Sequence, residues 1–277
     1  RTLPHPVYCL SPDGRWALTT DFRRLNDVRP GYGYAGLPDP NADRQAPDDS
    51  GIWRMDMQSG KQDLIFSLAD AARIPHTTPF PEGAKHWFNH LLYSSDGKRL
   101  VFLHRWRGAA EPMNKWSTRM FAMDSDGKNP FVLIPHGKVS HFVWRDAQHV
   151  TAYAWHPPAN NWRFCVFEDR TGKVEIFGEN ILIGDGQITY VPGTGDQWTL
   201  NDTYPDKQRL QHPHLFHLPT QRRFPLGHFL LPKEYQGEWR CDTHPCASRD
   251  GKSVVFDSPH GGNGRQVHLI NISGIVG

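Results

Sequence analysis

Ser94-Ser-Asp-Gly-Lys-Arg-Leu-Val-Phe102 followed by Met120-Phe-Ala-Met-Asp-Ser-Asp-Gly-Lys128 is the stretch that decides the fold. It reads as a strand, an Asp-Gly turn, an apolar strand, an alternating strand and a second polar turn. The glycine supplies the positive φ that a tight hairpin needs. The first half returns as Ser11-Pro-Asp-Gly-Arg-Trp-Ala-Leu18 and Ser248-Arg-Asp-Gly-Lys-Ser-Val-Val-Phe256. Weaker copies are Trp144-Arg-Asp-Ala-Gln-His-Val150 and Val191-Pro-Gly-Thr-Gly-Asp-Gln-Trp-Thr-Leu200. The second half returns at Ile52–Lys61, Phe164–Lys173, His214–Gln221 and Gln266–Ile272. A strand-turn-strand unit repeating at roughly 45–55 residues is the signature of a β-propeller blade. The expected fold is therefore all-β, a β-propeller with five blades visible in this chain. Such a fold gathers loops from every blade, so residues distant in sequence can build one site.

Between the strands the punctuation is Gly, Pro, Asn and Asp, and helical periodicity is confined to Leu68-Ala-Asp-Ala-Ala-Arg73. Residues 1–277 read as one propeller domain with loop insertions near 29–49, 106–115 and 225–239. The chain opens abruptly at Arg1, which reads as a processed or truncated product.

Composition narrows the function. The net charge of +2 gives no electrostatic footprint for nucleic acid. No apolar run reaches the roughly 20 residues of a membrane span. Four cysteines are too few for a disulfide scaffold; Cys9 and Cys165 sit in strand-like runs and read as buried thiols. Most of the 10 Trp read as core.

Polar residues cluster where blade loops should converge. Asn89 and His90 precede one turn, and His104 and Arg105 end the neighbouring strand. His90, His141, Gln187 and His244 occupy matching positions in four successive blades. Either they form a site or they line the water-filled mouth of a channel. Asp202 and Tyr204 follow a strand, where either could bond neighbouring blade backbone or serve a site. Arg240, Arg265 and Gln266 are placed to grip an anion, because guanidinium matches carboxylate by two parallel hydrogen bonds. His212 and His214 look like a metal pair but lie away from the convergence point. Cys241 and Cys246 flank Asp242 and His244, all possible ligand types at a spacing that is not a zinc signature.

The segment His244-Pro-x-x-Ser248-x-Asp-Gly-Lys-x-Val-Val-Phe-x-Ser258 resembles the end of the oligogalacturonate lyases, seven-bladed propellers acting on uronate-containing sugars. Ulvan lyases are similar in outline. The resemblance implies a parent ring of seven blades and β-elimination from a uronic-acid-containing oligo- or polysaccharide. It puts the base on His141, with His90 or Tyr204 as proton donor and Arg240 or a metal neutralising the carboxylate. It implies a divalent metal (Mn, Ca or Zn) held by His244, Gln187, Asp242 and Cys246, with no organic cofactor. Substrate contacts fall on Asn89, His104, Arg105, Arg265 and Gln266. A periplasmic or secreted setting follows. This chain departs from the family pattern at Cys241, Gln187 and Cys246, where Gln, His and His are expected. A non-catalytic propeller binding a glycan or protein partner is the competing class. A peptidase propeller is a third; no Gly-x-Ser-x-Gly elbow occurs here.

Overall fold

The computed structural model describes residues 2–277, the Glu238 side chain excepted. Strands appear in the order β1 (Cys9–Leu10), β2 (Trp16–Thr19), β3 (Gly51–Asp56), β4 (Gln62–Ser67), β5 (Lys85–Tyr93), β6 (Arg99–Arg107), β7 (Ser117–Asp124) and β8 (Phe131–Ile134). They continue as β9 (Val139–Trp144), β10 (His149–His156), β11 (Asn161–Glu168), β12 (Val174–Phe177), β13 (Ile188–Tyr190), β14 (Trp198–Asn201), β15 (Leu210–Gln211), β16 (His214–His217) and β17 (Arg222–Pro225). The last are β18 (Phe229–Leu230), β19 (Cys246–Ala247), β20 (Ser253–Ser258) and β21 (Gln266–Asn271). The helices are short: α1 (Phe22–Val28), α2 (Leu68–Arg73) and α3 (Ser273–Val276).

These strands form sheets β1-β2-β3-β4, β5-β6-β7-β8, β9-β10-β11-β12, β13-β14-β16-β17 and the three-stranded β19-β20-β21. Each sheet corresponds to one copy of the repeated phrase. The residues 225–239 insertion contributes β18, which pairs with β15 as a separate ribbon. The chain divides into two compact units. The first runs through Val139 and includes the turns Asp146–Gln148 and Glu168–Gly172; the second holds the remainder.

The repeat has a local cause. At Ser94 the hydroxyl donates to Asp96 Oδ1 at 2.7 Å and accepts the Arg99 N–H at 3.0 Å. Asp96 Oδ1 also accepts the Lys98 N–H at 3.1 Å, and the Gly97 N–H reaches the Ser94 carbonyl at 2.9 Å. The same four bonds recur at Ser11 and at Ser248. Gly14, Gly97 and Gly251 sit at φ 68°, 71° and 68°, a region costly to any residue with a Cβ. Serine, aspartate and glycine are thus each required by one bond or one dihedral of a self-contained turn.

In the first unit the alternating strands bury Leu18, Ile52, Phe66, Phe88, Phe102 and Phe121 in one cluster. Each such side chain contributes about 1.5–3 kcal/mol by leaving water. Cross-strand register puts Trp87 opposite Arg105, His104 opposite Arg119 and Phe102 opposite Phe121. One face of this sheet therefore carries Trp87, Asn89 and Arg105, and the other carries His86, His104 and Arg119.

The 29–49 insertion is tied down by one side chain. Arg24, 2% exposed on α1, donates Nε to the His86 carbonyl at 2.7 Å. Its Nη1 reaches Asp39 Oδ2 at 3.0 Å and the Asn41 carbonyl at 3.1 Å; Nη2 reaches the Arg44 and Gln45 carbonyls. On the opposite face of the second sheet, Arg119 Nε donates to His104 Nδ1 at 3.0 Å, and His104 Nε2 lies 2.9 Å from His86 Nδ1. Arg119 also caps three carbonyls at the end of α2, those of Ala71, Ile74 and Pro75.

Two predictions follow from these buried groups. Arg24→Ala leaves the Asp39 carboxylate buried without its partner and is expected to cost about 3–5 kcal/mol; chemical unfolding measures the loss, and limited proteolysis should cut first between residues 29 and 49. The second concerns pH. Burial, then the charges of Arg24 and Arg119, pushes the His86 imidazole from 6.5 down to about 4. The unfolded chain takes up that proton below about pH 6.5 while the folded chain refuses it. Stability is then complete above pH 6.5 and falls toward pH 4, by ~1.4 kcal/mol per pH unit for each such histidine. Denaturant midpoints at pH 7 and 5 should separate, and less so in His86→Asn.

Candidate functional site

The second unit assembles a polar cluster around β9, β13, β14 and the segment before β19. Strand β9 delivers Ser140 and His141. Asp185, in the loop leading to β13, accepts the Ser140 hydroxyl at Oδ2 (2.7 Å) and faces His141 Nδ1 with Oδ1 (2.9 Å). His141 and Asp185 are both partly exposed, with side chains 20% and 26% accessible. A carboxylate on Nδ1 sets the tautomer that carries its proton there and leaves Nε2 with a lone pair.

Asp202 organises the floor beneath this dyad. It is 5% exposed. Its Oδ1 accepts the Gln187 N–H at 2.6 Å, and its Oδ2 accepts the Thr243 hydroxyl at 2.5 Å. Burial raises its carboxyl above the ordinary range, opposed by the Thr243 and Gln187 bonds and by the nearby charges of His141 and His244. One carboxylate thus joins the β13, β14 and pre-β19 segments, and the charges of His141 and His244 act on it. Gly186 makes the approach possible: a Cβ there would lie 2.1 Å from the Asp202 carbonyl oxygen and 2.8 Å from Oδ1.

Tyr204 and Arg240 form the outer wall. The Tyr204 ring centroid is 6.0 Å from that of His141, and the Arg240 guanidinium stands 5.5 Å from the Tyr204 ring. Arg240 Nη2 pairs with Asp242 Oδ2 at 2.7 Å. Both Tyr204 and Arg240 are exposed, and with the partly exposed His141 they present an imidazole, a phenol and a guanidinium side by side.

Arg265 and Gln266 are exposed, with Arg265 over the Trp239 ring at 5.8 Å. Asn89, His90, His104 and Arg105 belong to the first unit. His90 sits at φ 53° in a bulge of β5, its N–H bonded to the Tyr8 hydroxyl and Asn89 Oδ1. His104 is 0% exposed, and its two ring nitrogens are taken by His86 and Arg119. Burial, then the charges of His86 and Arg119, holds it well below the usual imidazole range. It is a packed strut on the face of the sheet opposite Asn89 and Arg105.

The expected metal ligands do not form a set. Among the described residues no three His, Cys, Asp or Glu side chains are grouped to hold an ion. Asp242 is engaged by Arg240, and the exposed Cys246 thiol donates to its neighbour's carbonyl. His244 stands at φ 38°, a left-handed conformation that strains a histidine. His212 is bonded to Asp206 and His228, while His214 is buried and turned to the His212 carbonyl. The four cysteines are free, and burial pushes the Cys9 and Cys165 thiols up to about 12.

Asp185 is the functional candidate that sequence reasoning passed over. It lies two residues before Gln187 in the Asp-Gly-Gln element, at the register position already singled out.

No family model and no curated protein matches the chain. Among solved structures it is similar to an oligogalacturonate lyase in complex with manganese, with a TM-score of 0.55 and 13% identity over 96% of this chain and 73% of the other. It is also similar to the tricorn protease (0.54, 10%, 97% of this chain and 25% of that one). A third match is the Pyrococcus horikoshii acylaminoacyl peptidase (0.50, 12%, 94% and 36%). The chain spans about a quarter and about a third of those two peptidases. Likeness at these identities shows the fold, and the expected β-propeller class is the one found.

Gly186→Ala tests the packing of the site. The added methyl must push Asp202 away, and a stability loss of about 1–3 kcal/mol is expected. Thermal unfolding reads it, and an unchanged midpoint would show that the Asp202 contact is dispensable.

Proposed function

We propose that the chain is a lyase that cleaves a uronic-acid-containing glycan by β-elimination in the cleft of the second unit. The observation that carries this reading is the Asp185–His141 dyad facing Tyr204 and Arg240. The proton at C5 of a uronate is weakly acidic, and abstraction puts charge onto the adjacent carboxylate. Catalysis therefore needs a base and a cation at that carboxylate.

His141 Nε2 is the base, with Asp185 holding Nδ1–H and steadying the imidazolium that forms. Arg240 meets the substrate carboxylate, whose geometry its planar fork matches. As the C5–H bond breaks, its electron pair forms the C4–C5 double bond, and O4 departs with the C4–O4 bonding pair and takes a proton from the Tyr204 hydroxyl. Because His244, Gln187, Asp242 and Cys246 do not suit a metal, neutralisation is assigned to Arg240. The likeness to an oligogalacturonate lyase supports the reading at the level of fold. A periplasmic or secreted setting, where such glycans are met, goes with it.

A glycan-binding propeller without catalysis is the second reading. The ungrouped metal ligands and the peptidase likenesses favour it.

Incubation with a panel of uronate polysaccharides, followed by the ultraviolet absorbance of the unsaturated product, separates the two. Turnover is expected, with His141→Ala and Asp185→Asn each slowing it by ~10²–10⁴-fold and Arg240→Ala raising KM as well. Product formation that ignores His141→Ala removes the base, and binding without product selects the second reading.

A further inference from the structure

Three other arginines of the first unit have little exposure, and each has all three guanidinium nitrogens bonded to protein acceptors. Arg24 makes five hydrogen bonds to protein acceptors, and Arg119 makes four. Arg99, 5% exposed, grips Asp169 with Nε and Nη2 and Asp124 with Nη1. Arg105 breaks the pattern. It is 7% exposed, yet its Nε and Nη1 are buried with no acceptor among the described residues. A guanidinium out of water without an anion is costly, so the fold is expected to place an acceptor there.

Its neighbours share the deficit. Trp87, the cross-strand partner of Arg105 on β5, has a buried indole N–H without an acceptor. Asn89, two residues along on the same face, is 0% exposed and has its Nδ2 unmatched. The orientation of that amide is set, because Asn89 Oδ1 accepts the Tyr8 hydroxyl at 2.7 Å. A second cation is close: Arg29 and Arg105 both lie on the Trp116 ring, at 4.7 and 5.6 Å. Burial first, then the charge of Arg29, pushes the Arg105 guanidinium down to about 9. Donors from three side chains thus lie on one sheet face without acceptors among the described residues, and Arg29 shares the Trp116 ring with one of them, Arg105.

We propose that Arg105, Trp87 and Asn89 form an oxyanion-binding site in the first unit, taking a carboxylate or sulfate group of the kind that acidic sugars carry. The guanidinium supplies a two-pronged contact, the indole and amide N–H groups donate to the remaining oxygen lone pairs, and Arg29 adds charge. The site stands whether or not the second unit performs elimination, since no residue is shared between them.

The test uses the full chain and titration calorimetry with sodium sulfate, sodium acetate and sodium galacturonate, each against sodium chloride at matched ionic strength. Titrations are repeated in Arg240→Ala, which silences the carboxylate contact of the second unit. Saturable binding of at least one oxyanion is expected in both backgrounds, with quenching of tryptophan fluorescence. In the Arg240→Ala background Arg105→Met should abolish it, and Arg105→Lys and Asn89→Ala should each weaken it about tenfold. A preference for sulfate assigns a sulfated ligand, and a preference for acetate and galacturonate assigns a carboxylated one. The proposal is overturned if no oxyanion is distinguished from chloride. It is equally overturned if binding vanishes in Arg240→Ala while surviving Arg105→Met. Should Arg105→Met fail to fold, unaltered affinity in both Arg105→Lys and Asn89→Ala overturns it.

Discussion

A guanidinium taken out of water must find acceptors, and much of the first unit is arranged around that requirement. Arg24 meets it with the backbone of the long Pro- and Gly-rich insertion, converting a segment with no period of its own into an ordered flank of β5. Arg119 meets it with the end of α2 and a neutral histidine pair. Arg99 meets it with two aspartates delivered by separate turns. Each solution couples elements far apart in sequence, and each would leave an uncompensated charge if either side were removed. Against that background the empty donors of Arg105 read as chemistry that packing alone does not require.

The second unit uses a carboxylate in the same organising role. Asp202 is held by a hydroxyl and a backbone N–H, and it draws three segments together beneath the His141–Asp185 dyad. The absence of a side chain at Gly186 lets the β13 loop come within contact of it. This separates the residues that build the floor from those that meet a ligand. Asp202, Thr243 and Gly186 are packed beneath the surface, whereas Tyr204 and Arg240 are exposed and His141 is partly so.

The blade phrase was legible because its cause is local. Ser94, Asp96, Gly97 and Arg99 satisfy one another within six residues, so the same letters mark the turn wherever they occur. The site was legible in part for the same reason. His141, Gln187 and His244 hold equal offsets from their turns, and equal offsets bring them to one carboxylate. Asp185 escaped notice because a lone aspartate in a Gly-rich loop looks like turn chemistry until its partner is known. His104 was misjudged for a related reason: strand alternation puts it on the opposite face from Arg105, but only the packing of His86 and Arg119 shows that face to be closed.

The sequence by itself determined the strands, their turns and the five-fold repetition, because those follow from hydrogen bonds and dihedrals inside short windows. Only the tertiary structure decided which polar residues are struts and which are available to a ligand. Availability depends on whether a buried donor meets an acceptor from a distant segment. Arg24 and Arg105 are the same residue type in the same unit, and their different fates were set by partners that no local reading of the chain contains.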